Sequence, residues 1–244
     1  MDNLLHSSVN SKTYSNSGNT IVLSEVPSDI PCTILDLGCG AGDNARRLVE
    51  NGHTVDGITL SDSEFSLASK WCREVWIYDL EKGLPPHAYE QNYDFVICSH
   101  VLEHIAYPEN LLRGITRINF KNRFISERNK KDWGGAIIAL PNPMFMRNRL
   151  NWLKGNFEYQ KTGLMDYTHL RFYTFSTARR LFKERGFTVL KQFGSGYFPL
   201  GPLRRISKAL AGRIDKLAVR SFPAWFSTQM ILVVKPLETK GEPK

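Results

Sequence analysis

The chain predicts an α/β fold: a Rossmann-like, doubly wound sheet of seven strands, mostly parallel with an antiparallel last strand, and helices on both faces. Three observations carry that expectation. From Cys32 onward, short β-branched runs alternate with helical stretches, the pattern of βαβ units. The first of these runs ends in a glycine-rich turn, Gly38-Cys39-Gly40-Ala41-Gly42. At 244 residues, 42% of them hydrophobic and 23% charged, the chain can bury one large core.

Taken in order, the first strand covers residues 32–38, and a helix follows over 43–50 until Asn51-Gly52 stops it. Residues 53–60 form strand two, with Ser61 or Asp62 capping the next helix. Strands three and four are 73–80 and 93–99, and Pro108 opens a helix in a first turn that tolerates proline. Residues 120–133 read as a basic connector, after which Gly134-Gly135 leads into a strand at 136–142. The stretch 143–175 breaks the alternation. Long loops within a compact domain are usually functional, so it is the expected substrate cap. Ser176 is expected to cap a helix that Gly186 stops, followed by a strand at 187–193. Residues 201–220 read as one or two basic amphipathic helices whose stripe Leu203, Ile206, Leu210, Ile214 and Leu217 docks on the sheet. The last strand is 228–236. The expected organisation is a flexible lead-in (1–20), a single domain (21–237) and a short tail (238–244).

No apolar run approaches the roughly 20 residues of a membrane span, and the polar N-terminus has no secretory or transit pattern. Cys32, Cys39, Cys72 and Cys98 have no CxxC spacing and no histidine at metal-ligand spacing. They read as reduced thiols in a cytoplasmic protein, and no metal site is expected. The net charge of +8 conceals an asymmetry. Residues 1–112 hold 6 Lys/Arg against 16 Asp/Glu, and residues 113–244 hold 26 against 8. An acidic half suits a cationic ligand; a basic half suits an anionic acceptor or membrane surface.

The glycine-rich turn is the strongest signal. Glycines behind a strand let the backbone approach a ligand closely. Asp36 lies two residues before Gly38, and Asp43 stands where a dinucleotide fingerprint carries its third glycine. Acids at a helix start would repel a pyrophosphate, yet they suit a ligand carrying ammonium and sulfonium charges.

An acid followed by GxGxG resembles the first motif of class I S-adenosylmethionine-dependent methyltransferases, over about residues 32–236. Ser99-His100-Val101-Leu102-Glu103-His104 after strand four is similar to the small-molecule type 11/type 23 group. The resemblance implies S-adenosyl-L-methionine as cofactor, with Asp36, Gly38, Cys39, Gly40 and Gly42 at its methionine part. Asp79 and Leu80 would face the adenine, and Ser99 and His100 would line cofactor and acceptor. Where the family commonly ends strand two with a ribose-binding acid, this chain has Thr59, followed by Leu60. Cyclopropane-synthase-like relatives also carry a threonine there. Asp62 could substitute, whereas Asp56 lies too far back on the strand.

No (N/D)PP(Y/F) turn or Pro-Cys nucleophile follows strand four, so nucleic-acid bases are disfavoured as acceptors. The run Asp166-Tyr167-Thr168-His169-Leu170-Arg171-Phe172-Tyr173-Thr174 resembles the DxTHxRFFT stretch of type 23 methyltransferases, often of glycan or secondary-metabolite pathways. The expected acceptor is an oxygen on such a small molecule. His169 is the candidate base with Asp166 orienting it, His104 is the second candidate, and Arg171 would clamp an anionic acceptor. The alternative for this segment is a structural pin. The rival functions are methylation of a quinone or lipid-like acceptor at the membrane surface, and a non-catalytic cofactor-binding partner.

Overall fold

Strand residues alternate between two helical layers, and that alternation builds the domain. The computed structural model describes residues 17–121, 134–201 and 203–237. In β1 (Thr33–Leu37), Leu35 and Leu37 face one core, while Ile34 faces the other. The first core also takes Leu111, Leu112 and Ile115 of α4 (Pro108–Thr116), and Ala178 and Phe182 of α6 (Phe175–Glu184). The second takes Val22 of α1 (Thr20–Leu23), Ala45 and Leu48 of α2 (Asp43–Glu50), and Ala68 of α3 (Asp62–Ala68). Helices therefore cover both faces, as expected.

The remaining strands are β2 (Thr54–Thr59), β3 (Glu74–Ile77), β5 (Phe95–Ser99), β7 (Gly135–Pro141), β8 (Phe187–Gly196) and β9 (Ser227–Pro236). A separate short pair joins β4 (Asn92–Tyr93) to β6 (Asn119–Phe120). The seven-stranded order is β3-β2-β1-β5-β7-β9-β8, and β9 pairs antiparallel with both neighbours. The last strand is thus the reversed one, and it inserts between β7 and β8. Winding proceeds outward from β1 to β3, then resumes on the other side of β1 with β5. The crevice beyond the carboxyl ends of β1 and β5 is the switch point where open α/β sheets bind ligands.

Several expectations change in detail. Residues 143–175 are not wholly irregular, because α5 (Met146–Leu153) forms within them. Thr174, not Ser176, caps α6. Its hydroxyl accepts from the Thr177 amide, and the Thr177 hydroxyl accepts from the Thr174 amide, a reciprocal capping box. The lead-in ends earlier than residue 20, since Asn19 caps α1 and its Nδ2 donates to Ser99 Oγ (3.1 Å) and Gln229 Oε1 (2.9 Å). Residues 203–221 form α7 (Leu203–Ile206) and α8 (Lys208–Ser221), before α9 (Pro223–Phe226). The expected docking of their apolar stripe is not seen at Leu210 and Leu217, which are 58% and 67% exposed; Ala211 is the buried residue of α8. The connector at 122–133, the tail at 238–244 and residues 1–16 lie outside the described residues.

Candidate functional site

Two loops meet at the switch point. After β1, Gly38, Gly40 and Gly42 all have positive φ, and Gly42 (φ +84°) is the N-cap of α2. A side chain at Gly38 (φ +67°) would come within 2.5 Å of Val101 Cγ2, so the turn lies directly against the loop after β5. Only glycine meets both demands.

Asp36, paired in register with Gly57 and Ile97, is buried at 1% exposure. Neither carboxylate oxygen has a hydrogen-bond partner among the described residues. Burial pushes its carboxyl up to about 7, with the Asn44 side chain offsetting part of the effect. A buried carboxylate whose one nearby donor is the Asn44 side chain suits a cationic or N–H-rich ligand. Cys39 is also buried, but its sulfur turns back toward Gly57 and Cys72, so only its backbone belongs to the turn's surface.

The end of β2 holds the residue that sequence reasoning missed. Thr59 Oγ1 donates to Glu64 Oε2 at 2.6 Å, and both residues are buried. Glu64 lies in the first turn of α3, where Ser61 caps its amide. A carboxylate therefore stands beside Thr59 after all, supplied by the next helix. Asp62, the expected substitute, is exposed, and Asp56 is spent on Arg73 and Tyr93. Leu60 follows at the strand end. Asp79 caps a short 3-10 turn, accepting from the Glu81 amide at 3.0 Å, while Leu80 packs into the core.

After β5 the polar groups are linked. Ser99 Oγ accepts from Asn19, and His100 takes a left-handed backbone (φ +57°), unusual for a non-glycine residue. Its Nδ1 meets Glu103 Oε1 at 3.2 Å and its Nε2 meets Gln229 Oε1 at 3.1 Å. Burial alone would lower the His100 pKa, but the Glu103 carboxylate more than reverses this. Burial likewise opposes ionisation of Glu103, and the facing histidines hold its carboxyl below the ordinary value.

The cap closes on this loop. The Leu170 and Arg171 amides donate to the Glu103 carbonyl at 2.8 and 3.0 Å, and the Arg171 guanidinium donates to the Ala106 carbonyl, with Nε at 2.7 Å. Arg171 is thus committed to the backbone as a pin; it is not a free clamp for an anionic acceptor. Asp166 Oδ1 accepts from the Thr168 amide and hydroxyl, at 2.9 and 2.7 Å. His169 lies near Asp166; burial lowers its pKa, and the Asp166 charge raises it against that lowering.

His104 and His169 meet edge to face, with ring centroids 4.9 Å apart. Burial lowers the His169 pKa, and nearby Glu103 offsets part of this. One ligand-capable atom from each of Glu103, His104 and His169 lies within 4.8 Å of the others. From His169 a chain of ring contacts runs through Phe172, Tyr159 and Phe157 to Trp152, at centroid distances of 5.6 to 6.3 Å. Phe157 and Tyr159 are more than half exposed.

A family profile described as a methyltransferase domain matches residues 17–192. A ubiquinone biosynthesis O-methyltransferase from Klebsiella pneumoniae is 28% identical over 121 residues, covering 46% of this chain and 50% of that protein. The chain spans about half the length of the curated relatives it matches. An S-adenosylmethionine-dependent methyltransferase from Mesorhizobium loti shares the fold, with a TM-score of 0.54 and 18% identity over 88% of this chain and 95% of that one. Magnesium protoporphyrin IX methyltransferase from Synechocystis, solved with bound SAH, gives 0.52 and 16% over 88% and 80%.

Proposed function

The chain belongs to the methyltransferase-domain family, and from that premise we propose that it transfers a methyl group from S-adenosyl-L-methionine to an oxygen of a small, ring-bearing acceptor. Asp36 carries the cofactor reading. Its buried carboxylate at the switch point suits the ammonium of the methionine part, beside the backbone of Gly38, Gly40 and Gly42. The Thr59–Glu64 pair offers the ribose diol a hydroxyl and a carboxylate at the end of β2. Asp79 and Leu80 bound the adenine side; Ser99 and His100 lie between cofactor and acceptor.

The chain of rings from Trp152 to His169 supports a ring-bearing acceptor, because exposed aromatic faces stack on sugar or aromatic rings. Bound S-adenosyl-L-methionine would supply an activated methyl group to the acceptor oxygen, its sulfur leaving as the thioether. Taking up the hydroxyl proton falls to the cluster of Glu103, His104 and His169. His104 Nδ1 donates to the Thr168 carbonyl at 3.1 Å, so Nε2 is the nitrogen left to face the acceptor, and burial lowers the pKa of His169. The substrate-cap organisation of residues 143–175 is part of the same proposal.

A sugar or secondary-metabolite hydroxyl is the first reading of the acceptor. A quinol or lipid-like acceptor is the second, favoured by Leu210, Leu217 and Phe222, exposed beside Lys208, Arg213 and Lys216. No helix among the described residues is long and apolar enough to cross a membrane. Calorimetry with S-adenosylhomocysteine and NADH tests the cofactor; binding of NADH alone would overturn the proposal. Transfer of labelled methyl to glycosides or to polyphenols, with and without anionic vesicles, separates the acceptors.

A further inference from the structure

We infer that Glu103, His104 and His169 form a binding site for one divalent transition-metal cation of the zinc class, between the loop after β5 and the cap. The inference deepens the proposed methyl transfer and rests on it for the cation's purpose, though not for its binding.

Start from the lone pairs. Glu103 is fully buried, and its Oε1 is engaged by His100 while its Oε2 has no partner among the described residues. His169 is 8% exposed, and its Nδ1 is buried with no hydrogen-bond partner among the described residues. His104 donates from Nδ1 to the Thr168 carbonyl, which leaves Nε2 as the nitrogen available to a ligand. One ligand-capable atom of each residue lies within 4.8 Å of the others, and Glu103 and His169 each bring a buried polar atom with no hydrogen-bond partner among the described residues. Buried acceptors facing one another are costly unless something positive sits between them.

The donor set selects the occupant. Two imidazoles and one carboxylate suit zinc and its neighbours in the first transition row, whereas calcium and magnesium take oxygen ligands. Bonds of about 2.0–2.2 Å around a tetrahedral ion put its ligands about 3.4 Å apart. Side-chain movements on the order of an ångström would close the cluster from its present spread. Supporting bonds are already made: His104 is tied through Nδ1 to the Thr168 carbonyl, and the Glu103 carboxylate is held by His100. Such contacts fix ring orientation and the ligating nitrogen in metal sites.

Three protein ligands leave a coordination position open. An acceptor hydroxyl bound there would lose its proton to bulk water more readily, because the cation stabilises the oxyanion. With the cation bound, the imidazoles would act as ligands in place of the proton-accepting role proposed for the metal-free cluster, and the oxyanion would attack the methyl carbon with the thioether sulfur as leaving group.

Tag-free protein, stripped with chelator, should bind one equivalent of Zn2+ or Co2+. The Co2+ complex should show visible d–d bands without a thiolate charge-transfer band. Glu103→Gln and His169→Gln should each weaken binding by at least about 100-fold, while binding of S-adenosylhomocysteine persists and shows that the variants are folded. Failure to bind either ion, or unchanged affinity in these variants, would overturn the inference. So would a thiolate band, which would assign the metal to the Cys39–Cys72 pair; this spectrum on the unmutated protein decides even if a variant does not fold. Metal binding without cofactor binding would leave the site standing and remove the methyl-transfer reading.

Discussion

Replacing Asp36 by Asn should stabilise the cofactor-free protein at pH 8 and weaken cofactor binding at the same pH. Burial raises this carboxyl from 3.8 to about 7, so between those values the folded protein keeps a proton that the unfolded chain has lost. Stability therefore falls as pH rises through that window and levels off above it. Each pH unit is worth about 1.4 kcal/mol, and the whole window costs up to about 4 kcal/mol. Asn has no charge to desolvate. The stability gap between variant and parent should widen by about 2–3 kcal/mol from pH 5 to pH 7, measured by urea unfolding at both. Binding moves the opposite way, since loss of a charge-assisted hydrogen bond to an ammonium costs about 1.5–3 kcal/mol. Calorimetric titration with S-adenosylhomocysteine at pH 8 reads that loss. A variant no more stable than the parent at pH 8, or one that binds with full affinity, would refute the reasoning.

Other substitutions test the neighbouring groups. Glu64→Gln should weaken cofactor affinity several-fold, and Thr59→Asp should weaken it too, because a second carboxylate would be pressed against Glu64; tighter binding by Thr59→Asp would show that the two side chains separate in the complex. Gly38→Ala should abolish cofactor binding or lower the melting temperature, since its Cβ would meet Val101 Cγ2 at 2.5 Å in a positive-φ backbone, and a normal titration and melt would contradict this. Arg171→Ala should cost about 1–3 kcal/mol of stability through its lost bonds to the Ala106 carbonyl, with the acceptor KM unchanged in the folded variant. His169→Gln should lower turnover by about 10²–10⁴-fold while cofactor affinity stays within a few-fold, and normal turnover would make the cap a latch alone.

The sheet and its glycine turn were legible because they depend on local pattern: β-branched runs, a strand-ending Asp36, and glycines where backbone must approach closely. What was illegible depends on tertiary placement. Ser61-x-x-Glu64 has the spacing of a capping box, which accounts for Glu64 locally and hides its reach to the Thr59 hydroxyl. The choice of Thr174 over Ser176 turned on which hydroxyl could face a free helix amide, and three hydroxyl residues compete there. Asn19 looked like part of a polar lead-in because its partners, Ser99 and Gln229, are distant in the chain. The stripe on α8 was periodic enough to suggest docking, yet periodicity does not say what a face meets.

Residues 166–171 pin themselves to the loop after β5 and also carry the proposed site residue His169. Asp166-Tyr167-Thr168-His169-Leu170-Arg171 put four polar side chains together, and the sequence left a structural and a catalytic reading open for all of them. The structure divides them by what each atom already touches. Asp166 and Thr168 bond to each other, and Arg171 gives its guanidinium to Ala106. Those bonds fix the loop. His169 keeps its Nδ1 buried with no hydrogen-bond partner among the described residues, beside the Glu103 carboxylate. The amides of Leu170 and Arg171 close on the carbonyl of that same Glu103. Pinning the cap and positioning the imidazole are therefore one arrangement: loosening Arg171 should move His169 away from Glu103 before it disturbs Asp36 on the far side of the switch point.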